Sequence, residues 1–472
     1  MSALCLVLAP SVAQARSLTA EDAVALALEN DLGISAAEAG ERKSRADARQ
    51  ALLALFPSVT ATGGYTRLGT VPYIDLSTMY GGSDTGTSTC DQIDESELPT
   101  GWTLEMAQAM CEMITGWMTP SSAEPIPMGL ADNYFAGLKA EQVLFAGGAM
   151  HQARKAAGDF HAASEENVRM ARQQAVYTAE QLFYGVLMAR RAAEVTAQAQ
   201  ATVDAYVASL HALVEAGVAG RADLLAAQAQ ASQARLDAMR AAHGARLAEA
   251  TMRAVLVLDD NEPLDLVVAE DFPTRLPAER ERLVELARAR RPELRQLDAS
   301  LSALDHLSKA SWASWLPAVV VQGNLQWRNP NYSLEQVWYR SADLTVAASW
   351  SLWDRGKGLF GHQSARASWS QLYAQRSQLD RMLAVEVQGA VTSFDESLAE
   401  LEVARTGVER AEEALRLEQD RFEQGMVNNT ELLAAQAAAA GARLAQLQAE
   451  TGIHMAHAAL RKAVGDDYEV RP

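Results

Sequence analysis

The sequence predicts a mainly α-helical chain that also carries strands of a membrane β-barrel, organised as a duplicated helix–strand–strand–helix–helix repeat. Three observations predict this: an alanine-rich composition with long proline-free stretches, two segments that match at a constant offset, and short strands with alternating apolar and polar residues. The chain has 472 residues, 49% of them hydrophobic, yet its mean hydropathy is only −0.10. Alanine carries much of that apolar share, which suits closely packed helices better than one large core. The net charge of −19 opposes binding along a phosphate backbone, so no nucleic-acid partner is expected. Three cysteines are too few for a disulfide scaffold or a four-cysteine zinc site. No run of 18 apolar residues occurs to form a membrane-spanning helix, whereas barrel strands need only about 10 alternating residues each.

Residues 1–15 read as an export signal shortened at its start. Leu4 to Val12 are almost wholly apolar, Ala13-Gln14-Ala15 is an A-x-A cleavage site, and no basic residue precedes Arg16. The mature chain is expected to begin at Arg16. Cys5 lacks the small preceding residue of a lipoprotein signal, so lipidation is not expected.

Duplication organises the rest. Leu26-Ala27 and Phe56-Pro57-Ser58-Val59 match Leu286-Ala287 and Leu316-Pro317-Ala318-Val319 at an offset of 260. Further on, Glu215, Gly217, Asp223-Leu-Leu-Ala-Ala-Gln228 match Glu423, Gly425, Glu431-Leu-Leu-Ala-Ala-Gln436 at an offset of 208. The difference places a 52-residue insertion in the first repeat, between about Thr66 and Tyr134. The first repeat, 16–262, is expected to hold a helix over 17–55, strands about 57–67 and 135–145, an outer-loop insertion about 68–133, and long helices about 148–216 and 222–258. A linker follows at 263–281. The second repeat, 282–472, is expected to hold a helix over 282–314, strands about 317–328 and 342–353, and long helices about 358–424 and 430–464.

No proline falls between Pro127 and Pro263 or between Pro330 and Pro472, so long helices are permitted in both stretches. Val387, Phe394, Leu401, Val408, Leu415 and Phe422 recur every seven residues, with Val391 and Leu398 in the intervening register. That heptad seam predicts supercoiled packing. Phe183, Val186, Val203 and Leu210 are the bulk of the softer first repeat. In the strands, Val319, Val321, Gly323, Leu325 and Trp327 oppose Gln322, Asn324, Gln326 and Arg328. Leu344, Val346, Ala348, Trp350 and Leu352 oppose Asp343, Thr345 and Ser349. Lipid outside and water inside would produce that division. Val59, Ala61, Gly63 and Tyr65 alternate likewise, but Gln142 interrupts the apolar face of the other first-repeat strand. Six of nine tryptophans lie from Trp312 to Trp353, as an interfacial girdle requires. Four strands cannot close a barrel, and an open edge in lipid is forbidden, so the chain must oligomerise.

These features meet in a resemblance. The order of elements, the Phe-Pro-Ser-Val and Leu-Pro-Ala-Val strand openings, the Gly-x5-[DE]-L-L hairpins, and the turns Phe145-Ala-Gly147-Gly148 and Trp353-Asp354-Arg-Gly356 resemble the TolC-like outer membrane efflux proteins. The resemblance implies a homotrimer in outer-membrane lipid, with a twelve-stranded barrel continued by a periplasmic α-helical barrel. It implies a passive exit duct for small molecules or proteins, partnered by a periplasmic membrane fusion adaptor and an inner-membrane pump of RND or ABC type. It also implies a gate at the hairpin tips, involving Gly217, Asp223, Phe422, Gly425, Val427 and Glu431. Two departures mark that gate. Phe422 and Val427 stand where the family has a tyrosine and an arginine, and Ala434 replaces the second member of the acidic pair begun by Glu431. Its locking bonds must differ.

Catalytic chemistry is not expected. There is no G-x-x-x-x-G-K-[ST], H-E-x-x-H or G-x-S-x-G, so no enzyme and no cofactor is predicted. Glu450, His454 and His457 can share a helix face, but a solvated face explains them better than a metal site. Gly147-Gly148 reads as a turn rather than a phosphate loop, and Glu400, Glu402, Glu412 and Glu413 as helix-surface charge. Cys90 and Cys111 lie in the insertion and are expected to pair in an oxidising compartment. Between them Trp102 to Ile114 can form an amphipathic helix, capping a pore mouth or packing on a barrel rim. The alternative weighed is a periplasmic coiled-coil adaptor or structural protein without a pore, against which the alternating strands argue.

Overall fold

The computed structural model describes residues 16–74, 90, 93–94, 98–99, 101–118, 126–259, 264–267, 273, 275–276, 278–424 and 429–466. The export-signal segment 1–15, parts of the insertion and of the linker, and the second tip residues Gly425 and Val427 lie outside them. The chain divides into two units. One comprises Met1–Leu52, Ala149–Ala313 and Arg355–Pro472, and the other Leu53–Gly148 and Ser314–Asp354.

The first unit is helical. It holds β1 (Arg16–Leu18), α1 (Ala20–Asn30), most of α2 (Leu32–Leu53), α4 (Ala149–Glu215), α5 (Arg221–Leu256), β6 (Leu264–Leu266), α6 (Arg280–Arg290), α7 (Pro292–Trp312), α8 (Lys357–Glu423) and α9 (Asn429–Val464). The duplication is visible in helix lengths. Both α4 and α8 have 67 residues, and both α5 and α9 have 36. At 1.5 Å per residue the longer pair run roughly 100 Å each. In the first repeat Ala23, Val24 and Ala27 of α1 pack with Val176, Ala179, Phe183 and Val186 of α4 and with Met252 and Leu256 of α5. The second repeat assembles the same way: Leu283 and Ala287 of α6 with Val387, Val391 and Phe394 of α8 and Ile453 and Leu460 of α9. Along the heptad seam Val387, Val391, Phe394 and Leu401 are buried, while Leu398, Val408, Leu415 and Phe422 are half-buried.

Three expectations here need correction. The single helix over 17–55 is a short strand and two helices. Asp31 takes extended backbone angles, its N–H bonding to Ala27 O at 2.9 Å and its Oδ1 accepting from Ile34 N at 3.0 Å, which ends one helix and starts the next. The helix over 282–314 breaks at Arg291, also extended, because Pro292 disfavours helical angles in the residue before it. Linker 263–281 contributes β6, which pairs in parallel with β1 through Arg16↔Leu264, Ser17↔Asp265 and Leu18↔Leu266.

The second unit centres on a four-stranded antiparallel sheet in the order β2 (Ser58–Arg67), β5 (Asp132–Ala146), β7 (Ala318–Asn329), β8 (Tyr339–Ser349). The insertion carries β3 (Tyr73–Ile74), β4 (Ile126–Pro127) and α3 (Leu104–Met118). The expected strand 342–353 stops at Ser349, so Trp350 and Leu352 are not part of its apolar face. Instead Trp350 Nε1 donates to Trp315 O at 3.0 Å, using an indole that a lipid-facing strand position would leave unpaired. A register shift between Val143 and Phe145 marks a β-bulge. Gln142 beside it donates from Nε2 to Leu55 O at 3.1 Å and to Val143 O at 2.7 Å, which reconciles an amide with the apolar face. Gly148 and Gly356, which lead into α4 and α8, both have positive φ, +83° and +81°, where glycine fits without strain.

Candidate functional site

From Asp132 to Val143 of β5, before the bulge, the sheet sorts its residues into two faces in constant register. Val59, Ala61, Gly63 and Tyr65 lie opposite Ala140, Leu138, Ala136 and Tyr134; these continue into Gly323, Leu325 and Trp327, and then into Leu344 and Ala342. This face is apolar between Gln142 near one end and Asn329 and Arg340 at the loop end. Leu344 and Val346 on it are 75% and 65% exposed in the single chain. The other face carries Thr60, Thr62, Lys139, Glu141, Gln322, Asn324, Asp343 and Thr345. Its groups bond one another: Lys139 to Glu141 at 2.7 Å, Gln322 to Glu141 at 3.2 Å, and Asn324 to Asp343 at 2.8 Å. Gly64 on this side leaves room for the ring of Phe135, whose nearest atom would stand 2.6 Å from an added Cβ. Among the described residues β2 and β8 each keep one unpaired edge.

Aromatic residues bracket the apolar face. At the loop end Tyr65 and Tyr134 pair across strands at 4.9 Å on this face, while Tyr339, opposite Arg328 on the other face, meets Tyr332 at 5.1 Å. At the other end lie Trp315, Trp350 and Trp353. Trp312 does not join them; it ends α7 and packs edge-on against His362 at 5.6 Å. In the insertion Cys90 and Cys111 are disulfide-bonded with their Cα atoms 5.6 Å apart. Helix α3 exposes Met106, Met110 and Met113 on one side while Ala107 is buried.

The tip of the helical unit is a small core of its own. Tyr206 and Leu210 of α4, Leu224 and Ala227 of α5, and Leu432 of α9 are buried together, with Val214, Leu415 and Phe422 packed against them. Gly217 turns the chain at φ +74°, a conformation that disfavours any side chain. Asp223 sits in the first turn of α5 and its carboxylate folds back over Gly220. Phe422 is half-buried, and its ring meets Tyr206 edge-on at 5.6 Å between the two helix pairs. Burial, and then the charge of Asp223, push the Tyr206 hydroxyl up to about 12. Glu431 is exposed in the first turn of α9, at the position in the second repeat that Asp223 holds in the first.

The other sequence candidates separate. His454 stacks on Tyr184 at 4.4 Å, His457 lies beside Phe394 at 5.9 Å, and Glu450 engages Gln446 and Arg191, so the three do not converge on a metal. Glu412 pairs with Arg443 and Glu413 with Arg416, while Glu400 and Glu402 are exposed. Two clusters escaped the sequence reading. Arg291 is 5% exposed, and its guanidinium holds Glu293 at 2.9 Å, Glu386 at 2.8 Å and Ala463 O at 3.2 Å. Arg461 of α9 reaches Glu180 of α4 at 3.0 Å, joining the second repeat to the first, and Lys462 adds a bond to Gln174 at 2.7 Å. Arg253 and Arg461 match at the offset of 208, and that coincidence was the available signal.

Among the described residues the sequence candidates do not converge on a reactive point. What the described residues build is a two-faced sheet and a set of long paired helices. The profile of the family "Outer membrane efflux protein" matches residues 121–256 and 283–466. A membrane protein from Pseudomonas aeruginosa shares the fold at a TM-score of 0.75 and 20% identity, over 94% of this chain and 93% of that one. The outer membrane protein VceC from Vibrio cholerae matches at 0.74 and 16% identity, over 94% and 96%. The CmeC outer membrane channel of Campylobacter jejuni matches at 0.74 and 13%, over 94% and 85%. No curated protein sequence matches.

Proposed function

The chain belongs to the outer membrane efflux protein family, and from that premise we propose that it is the passive exit duct of a tripartite efflux or type I secretion machine. Membership makes it an outer-membrane transport protein of a Gram-negative bacterium that extends into the periplasm, and not an enzyme. Three copies supply twelve strands to one barrel, with β8 of each copy pairing with β2 of the next. The observation that carries this reading is the open sheet. Its strands alternate in direction from β2 to β8, so an added β2 meets β8 antiparallel, and the two edge strands have 10 and 11 residues. An unpaired edge in lipid leaves a row of unsatisfied backbone groups, which closure removes. The apolar face then meets lipid and the polar face meets water.

At the periplasmic end the tips dock on a membrane fusion adaptor and an inner-membrane pump of RND or ABC type, whose cargo is small molecules or proteins. Asp223 and Glu431 follow the tip turns, where the helix N-terminus favours a carboxylate. In a trimer each becomes a ring of three like charges that attracts cations. Outer-membrane fractions should contain a heat-modifiable trimer, and the purified protein should form cation-selective channels in planar bilayers that multivalent cations block from the periplasmic side. Glu431→Gln should weaken block and selectivity with the trimer retained. A monomer without conductance would overturn the duct, and unchanged block in Glu431→Gln would reduce that residue to a helix-start carboxylate.

A further inference from the structure

The duplication sets three polar residues of the first repeat against three apolar ones of the second. At the positions of Glu41, His161 and Glu165 the second repeat has Leu301, Trp369 and Tyr373. Leu301 is buried, and the rings of Trp369 and Tyr373 stack at 5.1 Å. In the first repeat His161 Nδ1 lies 3.5 Å from Glu41 Oε1, and its Nε2 lies 3.7 Å from Glu165 Oε1. Both distances exceed a hydrogen bond. Glu41 comes from α2, whereas His161 and Glu165 stand one turn apart on α4. One ligand atom from each residue falls within 4.8 Å of the other two. The Glu41 and His161 side chains are only 12% and 21% exposed, Glu165 is 58% exposed, and His161 Nδ1 is buried with no hydrogen-bond partner among the described residues. The half-exposed Arg45 holds Glu41 Oε1 at 2.7 Å.

We infer that Glu41, His161 and Glu165 form a divalent-cation site of the zinc class that clamps α2 to α4. One imidazole and two carboxylates, with a position left for water, are a donor set such an ion accepts. With zinc–ligand bonds near 2.0–2.2 Å, tetrahedral donors lie about 3.4 Å apart, so one donor atom from each side chain, now within 4.8 Å of the others, needs to close by about 1.4 Å at most. Arg45 occupies the Glu41 carboxylate in competition with the ion, and its exposed position lets it swing away.

The test uses tag-free, full-length, detergent-purified protein, stripped with a chelator and titrated with Zn²⁺ against a competing chromogenic chelator. One Zn²⁺ per chain is expected. His161→Ala should weaken binding by about tenfold or more and Glu165→Gln by a similar factor, on the scale of lost metal contacts. Arg45→Ala should tighten binding several-fold, a change of opposite sign that no unfolding produces. Wild-type protein that binds no Zn²⁺, or binds it as tightly as a folded His161→Ala variant, overturns the site. An Arg45→Ala variant that binds no more tightly removes Glu41, and with it the clamp.

Discussion

The two helical cores differ most informatively at one aromatic ring. In the first repeat Phe183 is fully buried and Val186 lies one turn further on; at the matching positions the second repeat has Val391 and Phe394. All four are buried. The ring has moved along its helix by nearly a turn while total volume stayed constant, which close-packed interiors tolerate better than loss or gain of a methylene. Duplication has therefore preserved the space between three helices rather than the residue that fills it. A neighbouring pair diverges in charge: Glu249 of the first repeat corresponds to His457 of the second.

Truncating the ring tests the comparison most severely. Phe183→Ala and Phe394→Ala should each cost about 3–5 kcal/mol, by lost transfer energy plus a cavity. The exchange Phe183→Val with Val186→Phe, which gives the first repeat the arrangement of the second, should cost much less in denaturant melts of the purified protein. An exchange as costly as the truncation would show that the two cores have distinct shapes.

Leu138 and Val346 also correspond across the repeats, and both lie on the apolar sheet face. Leu138→Arg and Val346→Arg should each destabilise the assembled barrel by roughly 2–4 kcal/mol if at mid-bilayer. Thr345→Arg on the opposite face should be tolerated. Native gels of outer-membrane extracts read the outcome, and equal loss of trimer in all three variants would break the assignment of faces.

Acid separates the repeats in turn. Burial, assisted by Arg461 and His454 and opposed by Asp466, lowers the His457 imidazole from 6.5 to about 4. Its contribution is complete above the ordinary value and drains away as pH falls from about 6.5 towards 4. For Glu249 burial pulls upward, but hydrogen bonds from Arg190 and Arg253 outweigh it and hold the carboxyl below its usual 4.5. Its contribution fails only below that value. Between pH 7 and pH 5, amide protection relative to the intrinsic exchange rate should therefore fall around α9 before it does around α5. His457→Gln should reduce the difference, leaving the part due to His454, whose imidazole burial also lowers. Earlier loosening around α5 would reverse the argument.

Tyr206→Phe should have the smallest effect. The Tyr206 hydroxyl is buried with no hydrogen-bond partner among the described residues, so its removal should leave the melting midpoint unchanged or raise stability by up to about 1 kcal/mol. A loss of more than that would reveal a bond to the tip turn.

Legibility followed the range over which a pattern repeats. The duplication, the helix pairs and the alternating strands all extend over ten residues or more, so periodicity and offset expose them. The break at Asp31 rests on one carboxylate capping one N–H, with no proline to announce it. Its counterpart at Arg291-Pro292 was visible in the sequence, but helical periodicity on both sides concealed it. Strands β1 and β6 have three residues each and lie far apart in sequence, too short for any period. The reading of strand β8 runs four residues past its end, because alternation continues beyond the last ladder bond to Leu352, and misses its first three residues. At the tips, spacing puts Gly217 at a turn and Asp223 in the first turn of the next helix, as the backbone does, but only folding could bring Phe422 against Tyr206.

The equal lengths of the helix pairs, 67 with 67 and 36 with 36, constrain how this chain can change over generations. A residue gained or lost in one long helix would shift every contact beyond it out of step with three others, turning buried positions outward by about 100° each time. Length can change there only in matched increments across all four helices, close to whole heptads. The insertion between the first repeat's strands carries no such tie, and the 52 residues by which the repeats differ lie there. Change is therefore easily absorbed in that insertion, while the depth of periplasm the helices span is inherited almost as a fixed unit of measure.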